Sequence, residues 1–252
     1  IPSLFWSIHC VPDLVGEPMD QWANPESKTL AWMRNYVLEV VSRYRDSPAI
    51  WAWQYGNELS LSASLPNAKE HRPPIVPERG TPETRSERDE LSFADVRKVF
   101  VAFATAVREH DPYRMIFTGD AFPRPSAWHQ EQQNSWTPDT MDQFAEMLAK
   151  ANPDPIDGIE LHLFDANEAR FNTLLQVSHE LNKPIFVGEF GVPGDTPEQE
   201  ATFRIMVSRI VALDIPLSAV WVFDRQNGDS FNTKPWQLEL IGETNRNFKN
   251  VA

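Results

Sequence analysis

The spacing of hydrophobic positions changes period repeatedly along the chain, and each change predicts an element. Pro2–Trp6 is a short apolar run that reads as a buried strand. From Leu30 to Tyr44 the period turns helical, with Leu30, Met33, Val37, Val40, Val41 and Tyr44 on one face and Asn24 and Pro25 as the cap and first turn. Ala49–Tyr55 (AIWAWQY) is again short, apolar and aromatic, as in a strand buried on both faces. Between Ser60 and Glu90 the pattern dissolves: Pro66, Pro73, Pro74, Pro77 and Pro82 stand among mixed charges and predict a long surface loop, of a length often used as a lid or cleft wall. Helical spacing returns at Phe93, Val96, Phe100, Phe103 and Val107, opened by a capping-box pattern at Ser92 and Asp95.

The alternation continues to the end of the chain. A strand is expected at Arg114–Thr118, a loop carrying Trp128 and Trp136, and a helix over Pro138–Lys150 that uses Met141, Phe144 and Leu148. Strands follow at Gly158–Phe164, Pro184–Glu189 and Leu217–Phe223, with helices near Asn167–Leu181, over Pro197–Leu213 and from about Trp236. Repeated strand and helix units predict an α/β fold with a parallel sheet, in one domain with a loop insertion at about 60–91. The count is six βα units of a TIM-barrel-like (β/α) fold. The length of 252 residues suits a whole eight-unit barrel, so the insertion makes up for units that are not there.

Composition narrows the function. With 23 Lys and Arg against 36 Asp and Glu, the net charge of −13 repels polyphosphates, so nucleic acid is not an expected partner. No stretch is long and apolar enough for a membrane span, which predicts a soluble chain. Ile1 opens directly on an apolar run without a basic leader, so secretion would need a signal upstream. Nine Trp and fifteen Phe offer flat apolar faces to a neutral ligand such as a sugar, although large aromatics are also ordinary core material. The lone Cys10 rules out a disulfide within the chain, and neither metal-ligand spacing nor a phosphate loop is present.

Two polar runs follow apolar strands, the position where α/β folds place their chemistry: Trp53-Gln54-Tyr55-Gly56-Asn57-Glu58 and Ile185-Phe186-Val187-Gly188-Glu189-Phe190-Gly191. A carboxylate at the end of a buried strand is costly to desolvate and needs a partner or a purpose. Either Glu alone could be a structural ion pair; two on separate strands read better as a catalytic pair. Asn57 could equally be a turn residue in left-handed backbone, His162 a satisfied core residue and Trp221 barrel core.

RYRDSPAIWAWQYGNEL (Arg43–Leu59) and PIFVGEFGV (Pro184–Val192) resemble the acid/base and nucleophile strands of clan A glycoside hydrolases, most of all the family 5 cellulases and mannanases. ELHLF (Glu160–Phe164) resembles the family's strand six, and AVWVF (Ala219–Phe223) its strand eight with a sugar-platform Trp. The similarity runs over nearly the whole chain in the order of strands three to eight, without the first two βα units. It implies a retaining β-glycosidase acting on a β-1,4-linked glucan or mannan, with Glu58 as general acid/base and Glu189 as nucleophile. It further implies that Asn57 bonds the sugar 2-hydroxyl, His162 lines the leaving-group side and Trp221 is the platform, with Trp6, Trp128 and Trp136 as further subsite candidates. Carbohydrate is then the expected partner, and no metal or organic cofactor is expected.

Three departures stand against the family pattern. Phe164 occupies the place of a Tyr that would bond the nucleophile, the Arg of strand two has no counterpart, and the strand-three His aligns near either Trp6 or His9. These departures keep open a non-catalytic carbohydrate-binding or scaffold protein, or a fragment of an enzyme. Six parallel strands without closure would also expose edges, which calls for self-association or a complementing segment.

Overall fold

The computed structural model describes residues 1–225 and 228–248, which form two compact units. The first comprises Ile1–Glu160 and Ala169–Lys183, the second Leu161–Glu168 and the described residues from Pro184 on.

The first unit opens with Ser3 bridged to Gln54, and bonds from Leu4 N to Gln54 O (3.1 Å) and from Phe5 N to Tyr55 O (2.6 Å) extend that contact. The strand expected at Pro2–Trp6 is thus a single bridge with irregular flanks. A short helix, α1 (Cys10–Val15), follows and ends on Gly16 in left-handed backbone, then a 3-10 turn at Met19–Ala23; the sequence pattern predicts neither. Helix α2 (Lys28–Tyr44) starts later than Asn24 and Pro25 suggest. Its cap is Ser27, whose Oγ accepts from Leu30 N at 3.0 Å, while Asn24 closes the preceding turn. The Glu17 carboxylate accepts from Lys28 N and Thr29 N (3.2 and 2.9 Å), satisfying further amides at that positive helix end.

Strand β1 (Ala52–Gln54) pairs in parallel with β2 (Met115–Phe117), Trp53 opposite Ile116. Helix α3 (Phe93–Arg108) lies between them in sequence and has the expected Ser92/Asp95 capping box. The supposed loop around Trp128 contains α4 (Ala127–Gln133), and α5 (Met141–Ala151) starts at a Thr140/Gln143 capping box. The core is aromatic: Tyr55 stacks on Phe5 at 5.3 Å and meets Phe100 and Phe103 edge-on at 5.5 and 5.3 Å, all four buried. Such pairs contribute about 0.5–1.5 kcal/mol each beyond the area they bury.

The segment from 60 to 90 contains short 3-10 turns, and ion pairs tie it down: Arg72 to Glu90, Arg88 to Asp20 (2.7 Å) and Arg85 to Asp13 (2.7 Å).

A second sheet runs in the order β3 (Ile159–Leu163), β4 (Ile185–Phe190) and β5 (Ser218–Val220), with α6 (Glu168–Leu181) and α7 (Pro197–Ala212) as the connections. In the second unit Val187 pairs with Ser218 and Phe190 with Val220 across an irregularity, and β5 is shorter than the expected Leu217–Phe223. Phe203 of α7 stacks on Phe190 at 5.4 Å and meets Trp236 of α8 (Pro235–Phe248) edge-on. Among the described residues no helix is long and apolar enough to cross a membrane.

Candidate active site

In the first unit the β1–β2 ladder continues past both strands, and this fixes the turn that carries Glu58. Tyr55 N donates to Phe117 O (3.0 Å), Gly56 N to Thr118 O (3.3 Å) and Glu58 N to Gly119 O (2.8 Å). The close approach requires glycine. A Cβ on Gly119, where φ is 76°, would lie 2.0 Å from Gly56 O, and one on Gly56 would lie 2.6 Å from Phe5 O. Glu58 itself is left-handed (φ 51°, ψ 35°), whereas Asn57 is not among the positive-φ residues. The left-handed backbone considered for Asn57 is thus found at its neighbour Glu58 instead. A non-glycine in this conformation costs on the order of 1–3 kcal/mol, and such strain concentrates at functional sites.

Two acids that sequence reasoning passed over support this turn. Glu160, on the first-unit end of β3, is 1% exposed and accepts from Gly119 N at 2.6 Å and from Gln54 Nε2. Asp120, equally buried, accepts from Ser60 N at 3.0 Å, just beyond Glu58. The available signal was an acid inside an apolar run, ELHLF.

A pocket of about 190 Å³ opens beside the turn, lined among others by Trp6, His9, Tyr55, Asn57, Glu58 and Ser62. Trp6, on this lining, is 55% exposed, while Tyr55 is buried and desolvation pushes its phenol well above its ordinary pKa. His9 Nδ1 lies 3.2 Å from Asp13 Oδ2. The unit thus brings Trp6, Asn57 and Glu58 together. Trp128 is not among the residues lining this pocket; its Nε1 donates to Glu146 at 3.0 Å and its ring meets His129 edge-on.

In the second unit Glu189 of β4 lies 3.5 Å from Nδ1 of the buried His162. Trp221 follows β5, its N–H donating to Phe190 O at 2.8 Å, and the Trp221–Val222 peptide is cis. Here too glycine is needed, since a Cβ on Gly191 would lie 2.3 Å from Trp221 O. Phe164 packs edge-on against Phe231 at 5.4 Å, so its position carries ring contact where a hydroxyl was sought. The Arg225 guanidinium lies 6.0 Å from the Trp221 ring centre.

No family model matches the sequence, and no curated protein matches it. Solved structures do. The chain is similar to the endo-β-1,4-mannanase of Thermotoga petrophila (TM-score 0.60, 15% identity), over 94% of this chain and 54% of that one. It is similar to the endoglucanase Cel5A of Pseudomonas stutzeri (TM-score 0.51, 16% identity, 86% and 62% covered). A family 5 mannosidase of Rhizomucor miehei matches at TM-score 0.50 and 15% identity, with 92% and 62% covered. The chain therefore spans about half the length of the Thermotoga mannanase and has, as an incomplete (β/α) barrel, the fold of the family 5 mannanases and cellulases of clan A.

Proposed function

We propose that the chain carries the two-carboxylate machinery of a retaining β-glycosidase for β-1,4-linked glucan or mannan. The observation that carries this reading is Glu58: a non-glycine in strained left-handed backbone at the end of β1, on a pocket it shares with Asn57 and the exposed Trp6. In the proposed reaction Glu189 attacks the anomeric carbon while Glu58 gives its proton to the leaving oxygen. Water, deprotonated by Glu58, then releases the sugar with its configuration retained. Such a pair works at about 5–5.5 Å separation, close enough for one carboxyl to attack while the other protonates the leaving oxygen. Once the glycosyl bond forms on the nucleophile, the acid has given up its proton and can act as base. Asn57 would bond the 2-hydroxyl, and Trp6 and Trp221 would stack on sugar faces, a neutral ligand that the charge of −13 does not repel. His162, beside Glu189, would face the leaving-group side.

Glu189→Gln should abolish hydrolysis of both glucan and mannan; unchanged rates sink the proposal. Glu58→Ala should slow substrates with poor leaving groups by about 10²–10⁴, spare activated aryl glycosides in the first step and respond to azide. A second reading, non-catalytic carbohydrate binding, is favoured by Phe164, whose ring packs on Phe231 in place of a hydroxyl. Calorimetry showing oligosaccharide binding without turnover would select it.

A further inference from the structure

Of the proline-rich segment, Ser62 is the residue found on the Glu58 pocket. The rest of the segment acts on the pocket at second hand, through Arg85. This side chain is 4% exposed, and its fork donates to both Asp13 oxygens at 2.7 and 2.9 Å. Nη2 also donates to Pro74 O at 3.2 Å, and Asp89 Oδ1 lies 3.5 Å from Nη1. Asp13, on α1, is 8% exposed at its side chain and lies 3.2 Å from Nδ1 of His9, which lines the pocket. Burial alone would raise the pKa of Asp13, but hydrogen bonds from Arg85 and His9 outweigh it and hold the carboxyl below its ordinary range. Arg85 Nε is buried with no hydrogen-bond partner. A buried ion pair adds little net stability, because desolvation offsets the attraction; what it can supply is a fixed geometry.

We infer that Arg85 and Asp13 are positioning residues for His9: the carboxylate, clamped by the Arg85 fork, keeps the imidazole proton on Nδ1 and leaves Nε2 as an acceptor for a ligand hydroxyl. The same arrangement orients histidines in metal and catalytic sites, where the partner of one ring nitrogen fixes the tautomer and so the role of the other. The inference rests on the reading of the Glu58 pocket as a sugar site. It gives the proline-rich insertion a defined task, the supply of one arginine that sets the hydrogen-bonding character of a residue it does not touch.

The test is two-bond 1H–15N spectroscopy of His9 in the 15N-labelled full chain, alongside kinetics on manno- and cello-oligosaccharides. The native protein should show His9 in the Nδ1-protonated form. Arg85→Gln should raise the Nε2-protonated population severalfold, with a smaller rise in Arg85→Lys, which keeps the charge without the fork and guards against loss of folding in the first variant. In both variants KM should rise in proportion to the loss of the Nδ1-protonated form, up to about tenfold where about nine-tenths of that form is lost, at a kcat within about twofold. An unchanged tautomer in the folded variants overturns the inference, as does a shifted tautomer with unchanged KM. If the native chain binds and cleaves neither oligosaccharide, the reading of the site fails instead, and the tautomer measurement still decides whether Arg85 and Asp13 position His9.

Discussion

A methyl group at Gly119 would sit 2.0 Å from the Gly56 carbonyl oxygen, in backbone that L side chains rarely adopt, and this one residue joins three parts of the site. Its N–H is held by Glu160 and its carbonyl by the amide of Glu58. Gly119→Ala should therefore destabilise the protein by at least about 1–3 kcal/mol, which at this size lowers Tm by roughly 2–4 °C per kcal/mol. Its effect on turnover should exceed its effect on Tm, because the strain falls on the turn that carries Glu58. A Tm within about 1 °C of the native value by calorimetry would show that the three segments separate more easily than the geometry indicates. Glu58 stood out in the sequence because it follows an apolar run, and the structure places it, half-buried, in the turn after β1. Glu160 did not stand out, since an acid within ELHLF looks like one polar position of a strand until its partners, Gln54 and the Gly119 amide, are seen.

At the scale of elements, Asp111 links the starts of β1 and β2. It accepts from Trp53 Nε1 and Arg114 Nη1 at 2.9 Å each, and from the amides of Tyr113 and Arg114 at 3.1 Å each. Burial pushes its pKa up, but these bonds outweigh burial and bring it from 3.8 to about 2. A depressed carboxylate contributes stability above its unfolded pKa and loses it as pH falls through the folded value, here between about pH 4 and pH 2. The linked contribution is about 2 kcal/mol. Urea unfolding should show this loss in the native protein and a flatter profile in Asp111→Asn; parallel profiles would place the acid sensitivity elsewhere. Most helices were legible at this scale, as at the Ser92 cap, which is local chemistry; the Thr140 cap starts α5 at Met141, later than the expected Pro138. The start of α2 was not legible, because Asn24 and Ser27 are both good caps, and Glu17, reaching its first amides from outside the helix, favours the later start. Pro2–Trp6 has the composition of a strand but keeps only one regular bridge, because its flanking bonds to Gln54 and Tyr55 follow no uniform register. Arg85 lay beyond reach, one charge in a run of charges, with its partner 72 positions away.

For the whole molecule, the fold outlasts its sequence: 15% identity accompanies alignment over 94% of the chain. Glu58 and Glu189 lie in different compact units, each with its own aromatic surroundings. The uneven burial of tryptophan then has an optical consequence. Trp22 and Trp53 are wholly enclosed, whereas Trp6 is 55% exposed on the Glu58 pocket. The long-wavelength side of the emission spectrum therefore draws on Trp6 together with the exposed Trp51 and Trp136; a sugar ring laid against Trp6 should shift its share to the blue, while Trp6→Phe should remove the shift. If the native protein and the variant respond alike, ligand binds away from this ring. The wall of the pocket is in this sense also a lamp, and under ultraviolet excitation occupancy can be followed without a labelled substrate.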